Sequence, residues 1–137
     1  MFSNAPIVTA FDLHRLDALL ERIRYQVKAP PTLTWLEREL ERAVVVKSEE
    51  VPATVVTMNS QVEVSDLDTE ERRCLTLVFP SMAGIDAGRV SVLAPLGNAL
   101  LGSREGHAIE LKTPRGVRRL RVDRVVYQPE AAGRFDL

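Results

Sequence analysis

At 137 residues, with one cysteine and 18 basic against 19 acidic side chains, the chain has room for one core of ordinary size plus an appendage, and is too short for two full domains. A formal net charge of −1 gives no general attraction to nucleic acid or to an anionic membrane, and no apolar run approaches the length of a membrane span. Residues 1–6 lack the charged and apolar regions of a secretion signal, so a cytoplasmic protein is expected, and Cys74, which has no internal partner, is expected as a small buried hydrophobe within a strand.

Thr9 is the expected N-cap of a first helix over residues 10–25, with Asp12 in its first turn and Leu13, Leu16, Leu19, Leu20, Ile23 and Val27 recurring at helical spacing. Pro30 and Pro31 must break it, because each removes a donor and restricts the residue before it. A second helix is expected to open on a Thr34-Trp35-Leu36-Glu37 capping box and to carry Leu36, Leu40, Ala43 and Val44 along one face. Leu13, Leu16, Leu20 and Ile23 can then zip antiparallel against Leu36, Leu40 and Val44, making residues 9–46 a two-helix hairpin whose base docks on the sheet half of the chain. Its tip would present Tyr25, Lys28, Pro30, Pro31 and Trp35. Large apolar groups there suit a contact surface, or for Trp35 a staple packed across the turn.

Residues 47–52 form a polar connector ending in Pro52, the best boundary in the chain, dividing a hairpin at 1–50 from a second unit at 51–137. Residues 61–65 alternate as a strand, 66–71 read as a polar hairpin loop, 72–79 return, and 80–88 are loop. Residues 89–93 are again β-like. Pro95 and Gly102 then frame a short helix that shows Leu96, Ala99 and Leu100 on one apolar face. After a turn at 102–106, residues 108–112 alternate apolar and charged, and Thr113-Pro114-Arg115-Gly116 turns the chain into a strand at 117–127. That strand sets Leu120, Val122 and Val126 toward the core against Arg119, Arg121 and Asp123. Arg115, Arg118, Arg119, Arg121 and Arg124 make a local basic cluster, for which pairing with strand neighbours such as Glu63 and Glu110 is preferred to a phosphate contact.

His14 and His107 have no second His or Cys at metal-ligand spacing, no phosphate-binding glycine loop occurs, and no motif ties serine, histidine and carboxylate into a nucleophilic set. No catalytic residue, metal or cofactor is assigned, and no enzyme is expected. A helical hairpin on a small α+β unit presents a tip to a binding groove.

The run Val-Ser-Val-Leu-Ala-Pro-Leu-Gly-Asn-Ala-Leu-Leu-Gly at 90–102, with Gly106 and the Lys112-Thr113-Pro114-Arg115-Gly116 turn, resembles the C-terminal domain of bacterial Gre transcript cleavage factors. Val55-Val56-Thr57-Met58-Asn59-Ser60 and Tyr127-Gln128-Pro129-Glu130-Ala131-Ala132-Gly133 are similar to the Rnk branch, named for regulation of nucleoside diphosphate kinase. Together these blocks cover most of residues 55–133. The resemblance implies an α+β fold: an N-terminal antiparallel two-helix hairpin, a short coiled coil, joined to a C-terminal FKBP-like antiparallel sheet domain wrapped on one short helix.

It also implies bacterial RNA polymerase as partner, with the globular domain at the rim of the secondary channel and the hairpin entering it. A monomer is expected, with no direct nucleic-acid binding and no membrane association. The rim contact of Gre factors maps onto Leu93, Ala94 and Pro95, of which Pro95 alone is retained. Gre tips carry acidic side chains that help hold a catalytic Mg²⁺, whereas residues 25–34 here contain no Asp or Glu and Lys28 would repel a cation. Helices of about 24 Å also fall short of a Gre hairpin. The implied function is a polymerase-binding regulator that does not stimulate transcript cleavage, competes with Gre-type factors, and affects nucleoside diphosphate kinase levels only downstream of transcription. Two alternatives stand beside it. A peptidyl-prolyl isomerase would need an aromatic pocket, for which the sheet half offers Phe79, Tyr127 and Phe135. A kinase-binding or small-ligand module would use the face of Arg119 and Arg121.

Overall fold

The computed structural model describes residues 5–26 and 31–137; of the residues named above, Val27, Lys28 and Pro30 lie outside them. Thr9 closes a short strand, β1 (Ile7–Thr9), and caps α1 (Ala10–Arg24), its Oγ1 accepting the Asp12 N–H at 3.0 Å. One of the otherwise unpaired donors of the first turn is thereby satisfied, as the sequence implied. Leu16, Leu19, Leu20 and Ile23 form the buried face.

The second helix, α2 (Thr32–Glu41), starts two residues before the expected capping box. Pro31 is its N-cap with φ −58° and ψ −28°, and no side chain caps it. The φ that the proline ring imposes is already helical, so the helix begins there and Thr34 lies inside it, exposed. Glu37, the other half of the expected box, instead approaches Arg24 of α1 at 3.7 Å. Leu33, Leu36 and Leu40 are buried; Leu16 and Leu36 lose all contact with water, worth roughly 1.5–3 kcal/mol each. Val44 does not extend this zipper, because α2 ends at Glu41 and Val44 leads the exposed strand β2 (Val44–Val46). β2 pairs in parallel with β1, Ile7 opposite Val44, so both ends of the helical hairpin are tied together.

The second half is a curled five-stranded sheet with one helix. β3 (Gln61–Asp66), β4 (Arg72–Val78), β5 (Arg89–Ser91), β6 (Ala108–Thr113) and β7 (Gly116–Tyr127) lie in the order β5-β4-β3-β7-β6, and α3 (Pro95–Leu100) comes after β5. Leu100 and Leu101 join Met58, Val62, Leu77, Val92 and Val122 in one apolar core that also takes Leu16 and Leu36.

Three expectations for the sheet are corrected. It is mixed, because β5 pairs parallel to β4: the chain leaves β4 through two 3₁₀ turns, Pro80–Met82 and Ile85–Ala87, and re-enters in the same direction. Cys74 is exposed, since Leu75 and Leu77 take the core face of β4 and alternation turns Cys74 outward. Val126 is 42% exposed, although Leu120 and Val122 are buried. The β3–β7 register shifts between Glu63 and Val64 and again between Gln61 and Val62. Each inserted residue reverses the facing of the strand residues beyond it, and Val125 packs on the core in place of Val126.

Two glycines set how closely the parts approach. A Cβ on Gly97 would lie 1.9 Å from the Ser91 carbonyl oxygen, and one on Gly102, at φ +75°, 2.4 Å from Pro6 Cβ and 2.8 Å from the Ile7 nitrogen. Gly106 has a similar φ of +84° with open space around it. Gly106→Ala should therefore lose only the backbone strain, about 1–2 kcal/mol. Gly102→Ala should lose that and about 1–3 kcal/mol of overpacking besides, and Gly97→Ala the overpacking alone. Urea unfolding of the three variants checks this; equal losses at Gly102 and Gly106 would refute the close approach.

Candidate functional site

Pro95 occupies the first turn of α3, where no N–H is needed, and Ala94 is the N-cap, its carbonyl accepting the Asn98 N–H at 2.9 Å. Gly97 seats the helix against Ser91, which fixes where the outward side of α3 points. That side forms the floor of a trough of about 560 Å³ between α2 and β6. Trp35, Arg38 and Arg42 line it from α2, Pro95, Asn98 and Ala99 from α3, and residues 107–112 along β6.

The expected site residues are redistributed by this geometry. Of the rim set, Pro95 is exposed and lines the trough, Ala94 is half-buried, and Leu93 packs against the core. Of the tip set, Tyr25 is 78% exposed at the C-cap of α1, its hydroxyl donating to Glu21 at 3.4 Å, and Pro31 is exposed at the start of α2. Trp35, 45% exposed, stands one turn into α2 and faces the trough. Pro95 and Trp35, assigned by sequence to the rim contact and to the hairpin tip, thus share one surface.

Sequence reasoning missed Arg38, Asn98, Arg104 and Lys112. Trp35, Arg38 and Arg42 recur at i, i+3 and i+7, a helical stripe that was legible. Asn98 carried a weaker signal, a polar residue beside the apolar positions of a short helix. It is 8% exposed, and its buried Nδ2 has no acceptor among the described residues. Of the lining charges, Arg42 is held by Glu39 at 3.1 Å, while among the described residues Arg38, Arg104 and Lys112 form no ion pair.

The basic cluster of β7 is a different case. Arg118 binds Asp66 at 2.5 Å, Arg119 binds Asp68 at 3.3 Å, Arg121 binds Asp123 at 2.8 Å and Arg124 binds Glu63 at 3.0 Å. The paired face was expected, but Glu110, opposite Arg119 in register, contributes no ion pair among the described residues. Arg118, with the Asp68 and Thr69 N–H groups, lowers the Asp66 carboxyl to about 2.

The helical part is positioned by a buried carboxylate. Asp12 accepts the Met58 N–H at 3.0 Å and Arg15 at 2.7 Å. The Arg15 guanidinium lies 4.2 Å from the Phe11 ring and 4.9 Å from that of Phe79, and also donates to the Leu137 carbonyl at 2.6 Å. Burial raises the Asp12 carboxyl above its ordinary range, outweighing both hydrogen bonds, and nearby Glu130 adds to the rise.

Residues 51–127 match the family described as transcription elongation factor, GreA/GreB, C-term, and residues 7–46 match the Rnk N-terminus. The chain is 42% identical over 130 residues to the regulator of nucleoside diphosphate kinase of Escherichia coli K12, covering 94% of each. It is 36% identical over 83 residues to transcription elongation factor GreA of Azorhizobium caulinodans, covering 61% of this chain and 53% of that one. A prokaryotic transcription elongation factor GreA/GreB from Nitrosomonas europaea superimposes with a TM-score of 0.75 at 41% identity, over 91% of this chain and 100% of the other. GreA factor homolog 1 of Thermus thermophilus does so at 0.50 and 27%, over 90% and 100%.

Because folding raises the Asp12 pKa, its contribution to stability is full below the ordinary value of 3.8 and is lost as pH rises through the folded value. Asp12→Asn retains a carbonyl for the Met58 N–H and cannot ionise. Its melting temperature relative to the parent should therefore climb between about pH 3 and about pH 7. Thermal melts across that range test it, and a constant difference would contradict the raised pKa.

Proposed function

The chain belongs to the GreA/GreB family of transcription elongation factors, in its Rnk branch, and on that premise we propose that it binds bacterial RNA polymerase at the secondary channel, leaves transcript cleavage unstimulated and competes there with Gre-type factors. The observation that carries this reading is the state of the carboxylates nearest the hairpin end. Residues 25–34 contain none, and Glu21 and Glu37 both lie against Arg24, at 3.1 and 3.7 Å. A hard divalent cation needs unshared oxygen ligands, and a guanidinium between two carboxylates offsets their charge. Reach supports the same reading: the 15 residues of α1 span about 22 Å and the 10 of α2 about 15 Å.

In this proposal residues 1–50 form the element that enters the channel and residues 51–137 an FKBP-like domain that docks at its rim. Leu93, Ala94 and Pro95 mark the docking edge, with Pro95 as the exposed member. Effects on nucleoside diphosphate kinase follow from altered transcription. For the isomerase alternative, Phe79 is engaged by Arg15, and neither it, Tyr127 nor Phe135 lines the trough. The arginines of the kinase or small-ligand alternative, Arg119 and Arg121, are already paired with Asp68 and Asp123.

The test is cleavage of backtracked RNA by polymerase, with this protein alone and then titrated against a Gre factor. The expected result is no stimulation in the first arm and progressive loss of Gre-dependent cleavage in the second. Stimulated cleavage would overturn the reading of the tip, and undiminished Gre activity at saturation would remove the competition. Pro95→Ala should weaken polymerase affinity by about 1 kcal/mol, roughly fivefold, with little change in melting temperature. Unchanged affinity would move the docking edge away from Pro95.

A further inference from the structure

The trough between α2 and β6 has an occupant written into its backbone as well as its charge. β6 ends the five-stranded sheet, so only one of its edges is paired. The Val122 N–H donates to the His107 carbonyl at 2.9 Å, and residues 108–113 continue that antiparallel register with β7. Antiparallel alternation then directs the backbone groups of Ile109, Leu111 and Thr113 toward β7 and those of Ala108, Glu110 and Lys112 out of the open edge into the trough. A row of outward donors and acceptors is a template for an added strand. Six residues of β6 give about 20 Å of edge, and a strand would lie about 4.8 Å from it.

The charge of the lining selects what that strand carries. Arg38 stands on the α2 wall, and Arg104 and Lys112 flank the two ends of the β6 run; among the described residues none of the three has a carboxylate partner. Of the two lining carboxylates, Glu39 is committed to Arg42, which leaves Glu110. Cations spread along the edge fit charges distributed along an extended chain better than one compact anion. Trp35 and Ile109 offer apolar contact for alternate side chains.

From these observations we infer that the trough binds an extended acidic peptide segment, added as a further strand on β6 with its carboxylates toward Arg38, Arg104 and Lys112. The inference does not rest on polymerase binding and concerns a separate peptide-recognition activity of the trough.

Trp35 is the only tryptophan of the chain and lines the trough, so its fluorescence reports occupancy. The probe is the hexapeptide acetyl-Asp-Val-Asp-Val-Asp-Val-amide, titrated into the full chain, with amide hydrogen exchange followed at Ala108, Glu110 and Lys112. The expected result is a saturable change at Trp35 and slowed exchange at those three amides. Lys112→Glu should bind about tenfold more weakly. Ala108→Pro, which removes a trough-facing N–H at the start of an edge strand, where a proline is tolerated, should also bind about tenfold more weakly. If either variant fails to fold, exchange in the parent protein decides. No saturable change, or equal binding of the corresponding Lys-Val peptide, overturns the inference. So does inorganic pyrophosphate displacing the peptide when the peptide slows none of the three amides, which marks a compact-anion site. Slowed exchange that rises with protein concentration alone assigns the edge to a second copy and overturns it as well.

Discussion

The hydrogen bond from the Ile7 N–H to the Gly102 carbonyl, at 3.2 Å, is the point from which the arrangement of the two halves is set. The Gly102 N–H donates to Val56 at 2.9 Å, so one residue joins the strand entering the helical hairpin, the end of α3 and the segment leading into β3. Pro6 rests where a side chain at Gly102 would lie, and its own carbonyl accepts the Val44 N–H at 2.8 Å. Both feet of the hairpin are therefore seated on the end of α3, which puts α2 beside α3 and opens the trough that contains Pro95 and Trp35. Asp12 adds a second attachment one helical turn away, on Met58. A helix pair that buries little by itself becomes part of a common core through these two contacts.

Much of this was legible because it is local. The first helix announces itself through Thr9 and a helical period of leucines and isoleucine, the short helix through Pro95, and the β6–β7 hairpin through alternation around Pro114. What was not legible depends on partners distant in sequence. Val44 reads as helical until Ile7 is known to pair with it. Val126 keeps step with Leu120 and Val122 by period two, and only the register imposed by β3 turns it outward. Cys74 and Leu75 are both acceptable core residues, so the parity of β4 could not be set until its neighbours were placed. The missed start of α2 has another cause: a Thr-x-x-Glu pattern and a proline both mark helix starts, and the proline, three residues earlier, decided it.

The candidate surface was less legible than the fold because three separate elements build it. Pro95 was singled out by resemblance and Trp35 by size and exposure, and nothing local says that they face one another. The trough cations are ordinary charged positions in sequence. Their distinction is negative, the lack of an ion-pair partner among the described residues, and that emerges only after Glu39 is seen to hold Arg42 and the acidic loop of residues 66–71 to serve β7 instead.

The two ends of the helical element thereby carry opposite balances of charge. At the hairpin end Arg24, in the last turn of α1 where a cation also suits the helix dipole, holds Glu21 and Glu37. These exposed pairs are worth little to stability, but they put a positive guanidinium beside the carboxylates that a metal would require. Near the base, Arg38 projects from α2 without such a partner among the described residues. Lack of cleavage activity in the proposed function therefore has two independent supports, chemistry at the tip and the length of α1, and neither touches the docking edge at Pro95. In the proposed function, affinity for a channel rim and delivery of a metal ligand are separable properties, so short helices and carboxylates paired with Arg24 are compatible with regulation by exclusion.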